Sequence, residues 1–382
     1  MRKSAIVGAI SAAGVAALLL TSCSSGGSDN GGGGDAPITL AYTATLSGDF
    51  ASYGLEMREG VDLAIEEINA AGGVLGRELT TVLQDDEGSP ANGPVIAQQF
   101  CDDADVSAVL GYSFSSVALA ALPVYTQCGL PVVASAVTSP ELSGASPVFF
   151  RTVFTDAYQG AEAAKFVFDN RDVKNIAVLY QQDDYGKGVA DAFAASFEQA
   201  GGTVTSNQAY QLETVNFASI VDTALRDKPD AVFIGGFYTE AAKIITQLRD
   251  TGSDLPVFAS DGSVSPTFLE LGGASVEGVE LYSAFSADDA RPEAQDFVAA
   301  FNTKYGKDPS SWAALAYDAT RVVAEAIEAA GSTDRAAVAS ALQAISDHPG
   351  VTGTISFDDE GNRVGTLTFQ RVEDGGFVVI TE

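Results

Sequence analysis

Short apolar runs alternate with amphipathic segments along most of this 382-residue sequence. Runs such as Asn175–Tyr180 and Ala231–Ile234 are apolar without alternation, which is typical of strands that are covered by helices on both faces. The segments between the runs repeat apolar residues at helical spacing, as in Val61–Ile68. Strands that alternate with helices in this way predict parallel sheets built from β-α-β units, and therefore an α/β protein.

The same two patterns place the elements along the chain. Strands are predicted at Ile38–Thr43, Leu79–Leu83, Ser107–Leu110, Pro131–Ala134, Asn175–Tyr180, Ala231–Ile234 and Leu255–Ala259. Helices are predicted over 157–170, 185–200, 217–227 and 239–251. The tail differs, because its strand-like runs are short and separated by turn sequences. These runs are Thr352–Phe357, Thr366–Val372 and Gly376–Ile380.

The charge of the chain excludes one class of partner. With 20 basic and 51 acidic residues, its formal net charge is −31. Binding to nucleic acid requires a surplus of Lys and Arg that neutralises phosphates, so we expect no nucleic-acid partner. The acidic surplus otherwise indicates only a well-solvated surface.

The N-terminus has the layout of an export signal. Two basic residues precede the apolar segment Ala5–Leu20, which is short for a membrane span and typical of a secretory signal. The sequence LTSC that follows resembles a bacterial lipobox, in which Cys23 is lipidated and becomes the first residue of the mature chain. An ordinary signal peptide with an incidental cysteine is the alternative, but the Ser/Gly tether after Cys23 favours an anchored protein. We expect a signal peptide at 1–22, the lipidated cysteine with its tether at 23–37, and a location outside the cytoplasm.

Two further cysteines, Cys101 and Cys128, each lie at the end of a predicted helix just before a strand. In an exported protein such a pair is more often a disulfide, and two buried thiols are the alternative. A disulfide that closes this loop stabilises the fold by roughly 3.5 kcal/mol in the chain-entropy model.

The sequence offers little for catalysis. Its single histidine, His348, stands beside a Pro-Gly turn and is not accompanied by a nucleophile elbow. A zinc site of the usual ligand number is not available either. The Gly-Lys in Tyr185–Val189 lacks the upstream glycine and the Ser/Thr of a phosphate-binding loop. We therefore expect neither an enzyme nor a cofactor.

The turn YSFSS, Tyr112–Ser116, carries more hydroxyls than its position requires. It lies between an apolar run and an Ala/Leu-rich helical segment, and one hydroxyl is enough to cap a helix. We expect at least one serine to serve as that cap. The surplus indicates a second role, in which the N–H groups at the helix start bind an anion.

Six segments, taken in order, carry a resemblance to a known family. They are TLSGDFASYGLEMREGVDLAIEEINAAGGVLGREL (Thr45–Leu79), LGYSFSSVALAALPVY (Leu110–Tyr125), GLPVVASAVTSPEL (Gly129–Leu142), FFRTVFTDAYQG (Phe149–Gly160), QQDDYGKG (Gln181–Gly188) and IGGFYTEAAKIITQLRD (Ile234–Asp250). With the export signal and the tether, the chain resembles the type I periplasmic-binding-protein receptors of the branched-chain amino acid (Leu/Ile/Val-binding) family. The likeness extends over residues 38–370.

This resemblance implies two α/β lobes, each with a parallel doubly wound sheet, that are joined by a three-segment hinge and hold the ligand between them. The crossings are expected near 153–157, 283–287 and 350–356. The first lobe would comprise 38–154 plus 285–352, and the second 155–284 plus 353–382.

The resemblance also implies contacts with the head group of an amino acid. The position of Ser115 supplies hydroxyl and backbone contacts to the ligand carboxylate. The carbonyl of Ala136 accepts from the ammonium and Thr138 contacts the same head group, although Thr138 is alternatively a cap or turn residue. Asp261 in FASDGS matches an acid that pairs with the ammonium, with an ordinary loop acid as the alternative. A charge-assisted hydrogen bond there would contribute on the order of 1.5–3 kcal/mol.

Four aromatic residues match positions around the ligand. Tyr185 and Phe237 correspond to aromatics that close over it from the second lobe, and Phe237 stands where tyrosine is common. Tyr53 corresponds to an aromatic of the side-chain pocket. Phe114 is bulkier than the residue that some relatives carry, which affects the preferred ligand side chain.

The function implied is that of a monomeric, lipid-anchored substrate-binding protein. It would capture a neutral, aliphatic amino acid by hinge closure and deliver it to the permease subunits of an ABC importer. The alternative is the same fold as a sensor, or as a receptor for another small solute such as an amide, urea or an aromatic acid.

Overall fold

Two large sheets, one parallel and one mostly parallel, organise the part of the chain that the computed structural model describes, residues 36–380. The first sheet has five parallel strands in the order β2-β1-β3-β4-β5. These strands are β1 (Ile38–Ala44), β2 (Leu79–Asp85), β3 (Val106–Gly111), β4 (Val132–Ala134) and β5 (Phe149–Arg151). The helices between them are α1 (Ala51–Ala70), α2 (Asn92–Asp102) and α3 (Ser115–Cys128).

The second sheet has seven strands in the order β14-β13-β10-β9-β8-β6-β7. Its strands are β6 (Asn175–Gln181), β7 (Thr203–Tyr210), β8 (Ala231–Gly235), β9 (Val257–Ala259), β10 (Glu280–Ser283), β13 (Thr368–Glu373) and β14 (Gly376–Val379). Strands β6 to β10 pair in parallel, whereas β13 and β14 are antiparallel. Its helices are α4 (Asp156–Asn170), α5 (Asp184–Gln199), α6 (Ala218–Leu225), α7 (Tyr238–Asp250) and α8 (Pro266–Gly272).

The chain then returns to the first sheet before it ends in the second. The returning elements are α9 (Pro292–Tyr305), α10 (Ser311–Ala330), α11 (Arg335–Gln343) and the small hairpin β11 (His348–Gly350) and β12 (Gly353–Ile355). Helices α9 and α10 bury Phe297 and Tyr317 in one apolar cluster with Leu63 of α1. This packing fixes the returning helices to the first lobe.

The crossing segments follow from these contacts. The chain leaves the first sheet after Arg151 and enters α4 of the second lobe at Asp156. It returns between β10 and α9. The third passage differs from the expected 350–356, because Phe357 packs on Phe150 of β5 with ring centroids 5.4 Å apart. Arg363 also donates to the carbonyl of Thr152, so residues 353–363, which we expected in the second lobe, lie against the first.

The strands and helices predicted from periodicity are confirmed within a few residues. Four strands were not predicted: β5, β7, β10 and β11. Strand β7 lies at the edge of its sheet and exposes Thr203, Asn207 and Ala209, so it has no apolar run. Strand β10 contains Glu280, a buried acid that accepts from Arg371 at 2.6 Å and from Arg171 at 2.7 Å.

The expected disulfide between Cys101 and Cys128 is present, and it joins the ends of α2 and α3 with their Cα atoms 5.9 Å apart. Cys23 and the predicted signal peptide lie outside the described residues. Within 36–380, no helix is both long and apolar enough to cross a bilayer.

We predict that the double variant Cys101→Ala/Cys128→Ala has a lower free energy of unfolding than the wild type. The loop closed by the disulfide spans 27 residues, so the expected loss is about 3.5 kcal/mol in the chain-entropy model. Urea unfolding followed by circular dichroism measures it, with reduced wild-type protein as the control. An unchanged unfolding midpoint in both samples would show that the crosslink does not stabilise the fold.

Candidate ligand-binding site

The carboxyl ends of the parallel strands carry the residues singled out from the sequence. Ser115 begins helix α3 just after β3, and the loop after β4 holds Ala136 and Thr138. The loops after β8 and β9 hold Phe237 and Asp261. In open α/β sheets, ligands bind at this edge of the strands. The two sheets present their edges to each other, because residues of both lobes line one cavity.

The serine turn is bonded to neighbouring loops. Ser113 Oγ accepts from the N–H of Thr45 at 3.1 Å, and Ser115 Oγ accepts from the N–H of Ser139 at 3.3 Å. Helix α3 begins after Phe114, and no side chain caps it. The expectation that a serine caps this helix is therefore wrong, since the hydroxyls position the loops instead. The first-turn N–H groups of α3 are left without a side-chain partner, which is the arrangement that suits an anion.

Aromatic rings from both lobes meet across the cleft. Phe114 and Phe237 have ring centroids 4.8 Å apart, and Tyr185 stacks on Phe237 at 5.0 Å with an interplanar angle of 12°. The ring centroid of Tyr53 lies 5.7 Å from that of Phe237 and 5.5 Å from that of Trp312. Such a wall accommodates an apolar side chain.

Gly88 makes the room for one of these rings. A Cβ atom on Gly88 would lie 2.6 Å from Cε2 of Phe114, and the backbone φ of Gly88 is +66°. Both the close approach and the left-handed backbone favour glycine. The large side chain of Phe114 therefore depends on the absence of a side chain at position 88.

Asp261 is a buried acid with three donors. Its Oδ1 accepts from the hydroxyl of Tyr185 at 2.7 Å and from the N–H of Gly262 at 2.9 Å, and its Oδ2 accepts from Gln159 Nε2 at 3.0 Å. Only 3% of the residue is exposed. Burial raises the pKa of Asp261 and outweighs these hydrogen bonds, which lower it. A ligand cation beside it would offset the cost of burying the carboxylate.

Hydrogen bonds between described residues join the two lobes around the site. Trp312 Nε1 donates to the carbonyl of Val264 at 2.9 Å, and the hydroxyl of Tyr238 donates to the carbonyl of Asp49 at 3.1 Å. The hydroxyl of Tyr53 donates to the carbonyl of Gly262. These bonds hold the cleft shut.

The cavity that remains is small. The volume open to the centre of a water molecule is about 10 Å³, so the cavity can hold about one water. Its lining residues are Tyr53, Ser113, Ser115, Ala136, Tyr185, Phe237, Gly262 and Trp312. Five of the eight residues expected from the sequence are among them. Phe114 adjoins the cavity through the ring of Phe237, and Asp261 through the hydroxyl of Tyr185.

Sequence reasoning missed several residues of this site. Trp312 is the single tryptophan of the chain and stands at the start of α10, which is the signal that would have identified it. Phe50 lies 5.6 Å from Phe114 and 5.7 Å from Phe237, but a phenylalanine before a helix is a common core residue. Gln159 and Asp156 lie on one turn of α4, and nothing in their spacing distinguishes them from the remainder of that helix.

The sequence and the fold are both similar to those of known binding proteins. A family model described as periplasmic binding protein matches residues 37–376. A Leu/Ile/Val-binding protein homolog of Brucella melitensis is 31% identical over 330 residues, which cover 86% of this chain and 89% of the relative. A crystal structure of a leucine-binding protein from Thermotoga maritima has a TM-score of 0.86 at 30% identity, and the match covers 90% of this chain and 98% of that one.

A second solved structure supports the same placement. The branched-chain amino acid transporter substrate-binding protein from Streptococcus pneumoniae, crystallised with isoleucine, has a TM-score of 0.85 at 28% identity and covers 90% of this chain and 99% of its own. The chain belongs to the periplasmic binding protein family. The two-lobed α/β fold expected from the sequence is thereby confirmed.

We predict that Asp183→Asn flattens the dependence of stability on pH. Asp183 caps α5 through the N–H of Gly186, and burial raises its pKa from 3.8 to about 6. At this position the folded protein therefore binds more protons than the unfolded chain between these values, so the contribution of Asp183 to stability falls as pH rises through this window. Removing the acid should reduce that slope by up to about 1.4 kcal/mol per pH unit.

Urea unfolding at several pH values between 3.8 and about 6 measures this slope. The matched control is Asp184→Asn, which makes the same change at the exposed neighbouring position and should retain the wild-type slope. Parallel slopes in all three proteins would contradict the prediction.

Proposed function

We propose that this protein is the extracytoplasmic substrate-binding component of an ABC importer, and that it captures a neutral, aliphatic amino acid such as leucine, isoleucine or valine. One observation carries the proposal: a buried carboxylate, Asp261, and the uncapped N-terminus of α3 stand on either side of an aromatic cleft. A zwitterion presents the two complementary charges and an apolar side chain. The relatives that bind leucine and isoleucine support this choice of ligand.

The head group is bound at both ends. The ligand carboxylate accepts from the first-turn N–H groups of α3 and from the hydroxyl of Ser115. Its ammonium donates to the carbonyl of Ala136, to Thr138 and to Asp261. Closure buries these charges, so a ligand that lacks one of them leaves a buried group without a partner.

The aromatic wall selects the side chain. Tyr53, Phe114 and Phe237 surround the space next to the head group and present ring faces and edges. Phe237 has no hydroxyl, so the second lobe closes on the ligand through Tyr185 and through apolar contact. Because the cavity in the closed form admits about one water, a ligand enters only when the lobes separate.

Capture is therefore a hinge motion, and the protein acts by binding rather than by catalysis. The lobes rotate about the crossing segments 152–155, 284–291 and 364–367 and close on the ligand. Tyr53 and Trp312 of the first lobe then donate to backbone carbonyls of the second. The closed monomer is the form that the permease subunits recognise.

The proposal predicts the response of binding to Asp261→Ala. Isothermal titration calorimetry of the wild type should give saturable binding of leucine, isoleucine or valine. Loss of a charge-assisted hydrogen bond should weaken that binding by about 10- to 150-fold. Asp254→Ala, an exposed acid near the same strand, is the matched control and should bind like the wild type.

A leucine analogue without the ammonium, 4-methylpentanoate, identifies the group that Asp261 recognises. Wild-type protein should discriminate against it, and Asp261→Ala should lose most of that discrimination. Flat titrations with every proteinogenic amino acid would refute the ligand class. Leucine binding that is unchanged in Asp261→Ala would refute the head-group assignment alone.

The N-terminal sequence supports a lipid anchor at Cys23. We expect wild-type protein to fractionate with membranes and Cys23→Ala to appear in the soluble extracytoplasmic fraction, because the acyl chains that hold the protein need the cysteine. Ser24→Ala alters the adjacent residue and should remain membrane-bound. Identical fractionation of the cysteine variant and the wild type would exclude the anchor.

A further inference from the structure

A second acid, Asp156, is buried beside the site, and Thr138 is the only side chain of the described residues whose hydrogen bonding acts on its carboxyl group. Asp156 is the first residue of α4 and has no exposed surface. Neither of its carboxyl oxygens accepts a hydrogen bond from the described residues. The hydroxyl of Thr138 is equally buried and interacts with this carboxyl, but the two groups lie outside the geometry of a full hydrogen bond. Unsatisfied buried polar groups are rare in folded proteins and require an explanation.

Asp156 lies next to two of the three residues of the proposed ammonium site, Thr138 and Asp261. Its backbone N–H donates to the carbonyl of Thr138 at 2.9 Å, which places the start of α4 against the loop after β4. One helical turn later, Gln159 donates to Oδ2 of Asp261 at 3.0 Å. A single turn of α4 thus joins Thr138 to Asp261, with the carboxyl of Asp156 on that turn.

The charged and titratable groups around Asp156 come from four elements. They are Arg151 at the end of β5, Asp183 and Tyr185 at the start of α5, Asp261 after β9, and Tyr282 of β10. Arg151 is the cation among them, but its N–H groups are directed elsewhere. They donate to Asn362 Oδ1, to Ser143 Oγ and to the carbonyls of Val137 and Ser139.

This environment favours a neutral carboxyl. Burial is the main cause that raises the pKa of Asp156 well above its usual value, and the negative charge of Asp261 is the next. These two causes outweigh the hydroxyl of Thr138 and the charge of Arg151, which lower the pKa. A carboxyl that retains its proton avoids the larger part of the cost of an unpaired buried charge. A ligand ammonium placed between Asp156 and Asp261 would reverse this preference, because it favours the ionised form of both acids.

We propose that Asp156 is a second carboxylate of the ammonium site, and that an amino acid binds with release of the proton that Asp156 carries in the free protein. The inference rests on the proposed function, since it requires a ligand with an ammonium group. The O–H bond of Asp156 breaks, the proton passes to solvent, and the carboxylate that remains pairs with the ammonium. The ammonium itself keeps all its protons, so charge and atoms balance.

The pH dependence of binding follows from this exchange. Asp156 has a higher pKa in the free protein than in the complex. Between these two pKa values the complex carries fewer protons than the free protein, so the affinity falls as pH is lowered through that interval. One released proton gives at most a tenfold change in Kd per pH unit. A ligand of the same shape that lacks the ammonium group causes no proton release from Asp156.

Calorimetry in buffers of different ionisation enthalpy counts the protons. Leucine is titrated into full-length mature protein in phosphate and in Tris or imidazole, at matched pH values between about 5 and 8. The dependence of the observed enthalpy on buffer ionisation gives the number released. We expect a positive number of up to one for the wild type, and none for Asp156→Asn.

Two features keep this experiment decisive. Asn has nearly the shape of a protonated Asp, so Asp156→Asn should fold with wild-type stability, and the wild-type titrations alone test the release. Asp184→Asn is the matched control and should retain the wild-type proton number. Leucine binding without proton release at any pH would overturn this inference and leave the proposed function intact. Release that persists in Asp156→Asn would assign the proton to Asp261 or Asp183 and overturn it as well.

Discussion

The buried guanidinium of Arg151 organises the loops that surround the cleft. It is fully buried, and its N–H groups contact no carboxylate. Instead they bind the carbonyls of Val137 and Ser139 and the side-chain oxygen of Asn362. The loop after β4 and the segment before β13 are therefore held to one cation. Because a buried charge without these acceptors is very unfavourable, the positions of Ala136 and Thr138 depend on this network.

The same network has an electrostatic consequence for the cleft. Burial lowers the pKa of Arg151 to about 10, but the group remains a cation at neutral pH. Its charge acts on Asp156 without a direct hydrogen bond, so the acid is only partly compensated. A binding protein benefits from such groups, since a site fully satisfied by its own residues has nothing to gain from a ligand. A buried group without a full partner lowers the stability of a free protein, and a ligand that pairs with it raises the stability of the complex.

What the sequence predicted, and what it did not, has a physical basis. Strands β1, β6 and β8 are buried on both faces and read as apolar runs, whereas the edge strand β7 leaves only polar alternation. Residues of the cleft on quoted motifs, such as Ser115 and Tyr53, were placed by resemblance. Trp312 was not predicted as a cleft residue, because α10 is far in sequence from Tyr53 and Ser115 and only the folded chain brings them together. The segment 353–363 was misplaced because the contacts of Phe357 and Arg363 with β5 and its exit leave no local pattern.

Gly88 does not line the cleft, but it limits the position of the Phe114 ring. A Cβ atom at position 88 would lie 2.6 Å from Cε2 of Phe114, so a side chain there would displace the ring that contacts Phe237 of the other lobe. A substitution at Gly88 could thus change the space for the ligand side chain without altering any residue that lines the cavity. Relatives with identical linings can accordingly differ in their preferred solute, and assignments of specificity made by matching lining residues alone would treat them as equivalent.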